Sequence, residues 1–401
     1  MGLLLAIGLQ RPARAELILE RTLAAPSPMS GAQFGSDVAF SGSEGIVGAP
    51  AGGSLPGAAF AFQGDPLTSL THAPQPGDEA GFAVAAAGDD VVVGVPGVRV
   101  DAGTAYVYDA SGNFLTELLR PATAAGDHFG FAVAVSANRI VVGAPGASTN
   151  GQADAGAVYL FDGDRSSPTF GHPLATAMLA KPGGAVAGDE FGAAVAVGES
   201  SIFVGAPFDG GTGAVYVFDL NGHYTGHMLQ GEMPAAGDLF GAAVAAYQGG
   251  VLVGAPLEDR PAVDAGAAYF FDATFQMQRR FTGDPSDPGD EFGASVAGFG
   301  TRVVIGAPLA DRTFVDQGVV QIFDPTLGDQ TLVSPTPSTD GRFGAAVATG
   351  DTRVVIGAPH EVGQEGRAHV FTPSLCVTPE GGPVICNDNN ACTTEACNGL
   401  T

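Results

Sequence analysis

Two glycines separated by thirteen positions recur seven times along this chain, and few folds can accommodate such a pattern. Gly35 goes with Gly48, Gly81 with Gly94, Gly130 with Gly143, and Gly192 with Gly205. The series continues with Gly241 and Gly254, Gly293 and Gly306, and Gly344 and Gly357. The first glycine usually follows Phe and opens a run of small and aliphatic residues. The second usually opens Gly-Ala-Pro after a β-branched run. Copy-to-copy spacing varies from 46 to 62 residues, so insertions fall outside the fixed unit. One offset held seven times marks a structural repeat, because each unit needs its neighbours to bury a hydrophobic face.

Each copy carries four strand-like runs. In the third they are Gly130–Val135, Arg139–Val142, Ala157–Phe161 and Leu174–Leu179. The proline of Gly-Ala-Pro has no N–H, ends strand pairing and forces a loop. Phe129, Phe191, Phe240, Phe292 and Phe343 read as wedges between neighbouring sheets, and Ala80 in the second copy predicts the loosest joint. Four short strands repeated seven times at about 50 residues predict an all-β, seven-bladed β-propeller of four-stranded antiparallel blades. The last copy lacks a fourth strand, and an orphan strand, Leu17–Leu23, precedes the first. Placing that strand on the last sheet closes the ring and removes an exposed edge.

The Phe-Gly and Gly-Ala-Pro repeats resemble the FG-GAP repeats of integrin α-subunit propellers. The likeness is closer to bacterial secreted FG-GAP proteins, with units such as Gly188-Asp189-Glu190-Phe191-Gly192. It covers about residues 17–371 and implies a propeller outside the cytoplasm that serves adhesion or protein interaction. Integrin-type repeats often carry a D-x-[DN]-x-D-G calcium loop between the two motifs. Here that interval holds only short turns such as Gly198-Glu199-Ser200-Ser201, so the family's calcium sites do not carry over.

The ends of the chain point to export. Met1–Leu9 is an apolar run too short to span a bilayer, and Ala13-Arg14-Ala15 has the small-x-small pattern of a secretory cleavage site. The basic leader usual for such signals is absent, so an ordinary buried segment is the alternative. All four cysteines, Cys376, Cys386, Cys392 and Cys397, lie in the tail. Clustered in even number, they predict two disulfides in an oxidising compartment, with three connectivities open. A zinc site competes, but no C-x-x-C pair or tail histidine supports it. The stretch Cys386–Cys397 resembles Cys-rich repeats of bacterial surface proteins, with Asn389 in place of their Gly. The expected organisation is a signal at 1–15, a propeller at 16–373 and a Cys-rich tail at 374–401.

Charge narrows the function classes. Lys+Arg number 16 against 42 Asp+Glu, a net charge of −26. Nucleic-acid binding needs basic surface to displace counterions, so it is excluded, as is charge-driven docking on anionic membranes. No transmembrane segment is expected, and the molecule reads as a monomer. Catalysis lacks a foundation too. Asp37 is the one ionisable residue in the first strands, and acid–base chemistry needs positioned titrating groups, commonly two. Asp37 is therefore expected to be structural. The seven histidines, His369 among them, fall mostly at loop or outer positions. Tyr106, Tyr159, Tyr216 and Tyr269 recur at matching third-strand positions and predict packing between blades.

Loop parity gives the sharpest expectation. Second-to-third loops and the loops between copies open on one face. The latter carry Asp78, Asp127, Asp189, Asp238 and Asp290, each after Gly. The former carry Asp101, Asp154, Asp264 and Asp316, together with Asp209, Glu258 and Glu361. Each acid alone can be turn chemistry, its carboxylate capping local N–H groups. Collectively they would focus negative potential on one face and favour cations or a basic partner. The expected function is a non-catalytic extracellular interaction or adhesion module, with a protein or glycan partner. The alternative is a secreted hydrolase or lyase whose metal is held by loop carboxylates at the channel mouth. The sequence requires no cofactor. Calcium is left open, with Asp162 and Asp164 as candidate ligands in a partial calcium-loop pattern.

Overall fold

A computed structural model describes residues 16–51, 55–64, 66–120, 124–377 and 383–385. Seven four-stranded antiparallel sheets form the blades of a propeller, six of them with their strands in chain order from the axis outward. Blade three is representative: Ala132–Ser136, Arg139–Ala144, Ala157–Asp162 and Pro173–Leu179, close to the runs read from the sequence. Blade seven is completed by the orphan strand. Leu17–Leu23 pairs antiparallel with Arg367–Pro373, from Leu17 opposite Pro373 to Leu23 opposite Ala368, with a bulge at Leu19–Arg21. Arg353 holds Glu20 through two hydrogen bonds of 2.7 and 2.8 Å and fastens this seam further. A two-stranded hairpin, Leu375–Val377 with Pro383–Ile385, follows the ring. The 1–15 segment and Cys386, Cys392 and Cys397 lie outside the described residues, as does the side chain of Cys376. Among the described residues, no helix is long and apolar enough to cross a membrane.

The repeated glycines have a geometric cause. In every blade the N–H of the first glycine donates to the carbonyl of the second, at 2.8–3.1 Å. This bond closes the hairpin of the first two strands and fixes the thirteen-residue offset. The second glycine faces the next blade. A side chain on Gly254 would collide with the carbonyl oxygen of Gly293, and the same holds around the ring to Gly357 and Gly35. Innermost strands crowd the axis, and only hydrogen fits between their backbones.

The core consists of seven wedges, each filling the joint between two blades. Phe129 is 1% exposed and packs with Val107 and Leu118 of blade two and with Tyr159 and Phe161 of blade three. Phe34, Phe191, Phe240, Phe292 and Phe343 do the same at their joints. Burying one such ring is worth about 1.5–3 kcal/mol. At the joint of blades one and two, Ala80 provides no ring, and Tyr106 instead meets His72 edge-on at 5.1 Å.

Candidate binding face

The face carrying the second-to-third and inter-blade loops is built by a repeated backbone device. The residue before each wedge position is left-handed in all seven copies, for example Glu79 (φ 57°), Glu190 (φ 52°) and Glu291 (φ 55°). In several joints its N–H donates to the carbonyl of an acid in the preceding second-to-third loop. His128 reaches Asp101 at 2.8 Å, Glu190 reaches Asp154 at 3.1 Å, Glu291 reaches Asp264 at 3.2 Å, and Arg342 reaches Asp316 at 3.1 Å. These four aspartates are themselves left-handed, a conformation Asp tolerates better than most residues. Asp101 and Asp154 are exposed, while Asp264 and Asp316 are half-buried.

The Gly-Asp carboxylates lie deeper. Asp127, Asp189, Asp238 and Asp290 are each at most 5% exposed, and Asp78 is half-buried. Four of them cap their own turns. Asp78 accepts the N–H of Gln75 (2.8 Å), Asp127 that of Ala124 (2.9 Å), Asp238 that of Ala235 (2.7 Å) and Asp290 that of Asp287 (3.1 Å). Asp189 holds Lys181 at 2.6 Å.

Sequence reasoning missed the residues that form the acidic layer beside the loop aspartates: Glu79, Glu190 and Glu291. Their carboxyls are pushed above the usual range, first by burial and then by neighbouring carboxylates. Those neighbours are Asp101 for Glu79, Asp154 for Glu190, and Asp264 with Asp316 for Glu291. His128 offsets the first two and Arg342 the third. The signal was present in the sequence as a Glu directly after Gly-Asp, ahead of Ala-Gly in the second copy and of Phe-Gly in the other two.

Other loop acids turn inward to clasp adjoining blades. Third-strand positions Phe60, Tyr106, Tyr159, Tyr216, Tyr269, Gln321 and His369 are equivalent in register. Tyr159 accepts a hydrogen bond from Arg120 (3.1 Å), which also pairs with Asp127. Tyr216 donates to Asp209 (2.5 Å), whose other oxygen holds Lys181 at 2.6 Å. Tyr269 donates to Glu258, itself paired with Arg260 and Arg280 at 2.7 Å, and the phenol is pushed up to about 12, chiefly by burial. His369 is fully buried between Glu361 (3.0 Å) and Thr22 (3.0 Å). Ser334 donates to Glu361, not to the imidazole, so this cluster does not place a base on that serine.

Asp37 lies in the axial channel, a cavity of about 560 Å³ lined by the first strands. Its oxygens accept the N–H groups of Val38 (2.9 Å) and, across the joint, Val84 (2.7 Å). Burial nevertheless pushes its carboxyl up to about 7.

Asp162 and Asp164 sit on the opposite face, at a third-to-fourth hairpin. Asp162 accepts the N–H of Asp164 (3.0 Å) and the hydroxyl of Thr169 (2.6 Å), and Asp164 accepts two bonds from Ser166. Asp109, Asp219, Asp272 and Asp324 cap the equivalent turns of other blades, which makes Asp162 one member of a repeated turn. Among the described residues no group of three or more His, Cys, Asp or Glu is placed to hold a metal ion.

The fold defines a repeat β-propeller. A family model described as FG-GAP repeat matches residues 116–161, 180–218, 234–271 and 276–323. Together with the seven-bladed ring, these matches make the chain an FG-GAP repeat β-propeller. Such propellers commonly mediate protein interactions, and the fold points to an interaction module. The chain matches no curated protein.

Proposed function

We propose that this propeller is an exported, non-catalytic adhesion module whose loop face receives a basic protein partner. The carrying observation is the set of carboxylate groupings Glu79–Asp101, Glu190–Asp154 and Glu291–Asp264–Asp316, all on one side of the disc. Burial first, and then the neighbouring carboxylates, raise the proton affinity of the three glutamates, and an incoming Lys or Arg offsets the repulsion. A net charge of −26 steers such a partner from a distance. The leader-like segment, the clustered cysteines and the repeat family support placement outside the cytoplasm. Asp162, through both oxygens, and Asp164, through Oδ1, serve turns, and this reading does not call on calcium there.

The test is binding of an oligolysine peptide to immobilised protein across a salt series, with an oligoglutamate peptide as control. Affinity is expected to fall steeply with salt, and E79Q/E190Q/E291Q should weaken binding by at least about tenfold. Equal binding by the triple variant would overturn the acidic-face reading. Stoichiometric metal on native protein, lost together with a hydrolase or lyase activity in a D101N/D154N variant, would replace it with the enzymatic one.

A further inference from the structure

The joint between blades five and six departs from the repeat on the face opposite the acidic loops. Phe281 stands where the other six blades carry Leu, as in Leu118, Leu179 and Leu229. Phe270 stands where Ala, Val, Leu or Ile occur elsewhere, and Tyr247 where most blades have Ser, Ala or Gly. Gly298 makes room, since a side chain there would strike the Tyr247 ring. Tyr247 meets Phe270 edge-on at 5.1 Å, and Phe281 meets Phe323 at 4.9 Å. These rings border a cavity of about 250 Å³.

One cation stands at this cavity. Most of the protein's few basic groups are held by carboxylates, as Arg120, Lys181, Arg280 and Arg302 are. The guanidinium of Arg279 instead lies 4.4 Å from the Phe281 centroid and 5.2 Å from that of Phe323. Among the described residues it makes no hydrogen bond or ion pair. Ring contacts use the flat face of a guanidinium and leave its N–H edge for a planar anion.

We propose that this cavity binds a monocarboxylate carried on an apolar ring, the ring among Tyr247, Phe270 and Phe281 and the carboxylate on Arg279. The volume is below the ~300–1,000 Å³ of drug-sized sites and fits one ring with a short chain. Asp324 is neutralised by Arg302 at 3.1 Å. Asp329, exposed at the same cavity, repels a second negative charge and so favours monoanions over phosphates. The ligand class is met by a free aromatic acid or by a peptide ending in Phe. This site is independent of the acidic face and of its proposed partner.

The experiment is calorimetric titration of the full chain with 3-phenylpropionate, its neutral analogue 3-phenylpropanol, and phenyl phosphate. Saturable binding of 3-phenylpropionate is expected, at least about tenfold tighter than either of the others. R279Q, on an exposed outer-strand side chain, should erase that preference while leaving 3-phenylpropanol unchanged. Peptides ending in Phe, with free or amidated C-termini, separate the two sources. If only the free-acid peptide binds tightly, the ligand is a chain terminus; if neither does, it is a small acid. No saturable binding of 3-phenylpropionate, or identical affinities in R279Q, would overturn the proposal.

Discussion

The carboxyl of Asp37 allows the channel to be tested by titration. The equivalent residues in the other blades are Ala83, Ala132, Ala194, Ala243, Ser295 and Ala346, so the acid is not needed for the strand to form. Its pKa rises from 3.8 to about 7, because desolvation outweighs the two backbone N–H donors. Below about pH 4 the carboxyl is protonated in both folded and unfolded chains. Between about pH 4 and 7 the unfolded chain ionises while the folded one keeps its proton, so stability falls as pH rises. Above pH 7 the penalty is complete. At about 1.4 kcal/mol per pH unit, that interval corresponds to about 4 kcal/mol. Asp37 is only half-buried and lines the open channel, so this is an upper bound. Asp37→Asn keeps an acceptor for Val38 or Val84 and removes the charge. Urea unfolding of both proteins from pH 4 to 7.5 should show D37N gaining on wild type by up to about 4 kcal/mol. Glu79, Glu190 and Glu291 slope the same way in both proteins and cancel in the difference. Parallel stability curves would refute the reasoning, because the carboxylate would then be solvated as in the unfolded chain.

Three structural predictions concern the ring. Gly254→Ala places a methyl against the Gly293 carbonyl, which cannot yield without opening the blade joint; a loss of upwards of about 3 kcal/mol is expected in denaturant titration. Glu258→Ala strips the partner from Arg260 and Arg280 and should cost about 3 kcal/mol, whereas Tyr269→Phe, which leaves the ion pairs, should cost about 1 kcal/mol. Deleting 17–23 removes two buried leucines, worth about 3–6 kcal/mol together, and bares the Arg367–Pro373 edge. Sedimentation velocity should then show self-association, and a stable monomer would contradict the closure.

The architecture was legible because its cause is local and repeated. Gly130 and Gly143 must bond to each other and also admit the next blade, so their identity and spacing survive in every copy. The orphan strand was legible by subtraction, since twenty-seven complete strands leave one place open in a ring of twenty-eight. The face was legible only in outline. Parity put the acids of the second-to-third and inter-blade loops on one side, but parity does not say which way a side chain turns. Asp127 and Glu190 sit in similar Gly-rich loops. The first folds under to cap a turn and meet Arg120, while the second stays beside Asp154.

His369 shows the same limit, since a histidine in a short strand gives no sign that Glu361 and Thr22 will enclose it. The aromatic cavity was invisible for a related reason. Tyr247, Phe270, Arg279 and Phe281 are ordinary strand residues until two blades meet. Sequence alone determined the repeat, the number of blades and the seam, because backbone crowding at an axis permits few residues. Which carboxylates face solvent, and which side chains converge across a joint, depended on contacts between distant segments. Only the closed ring brings those segments together.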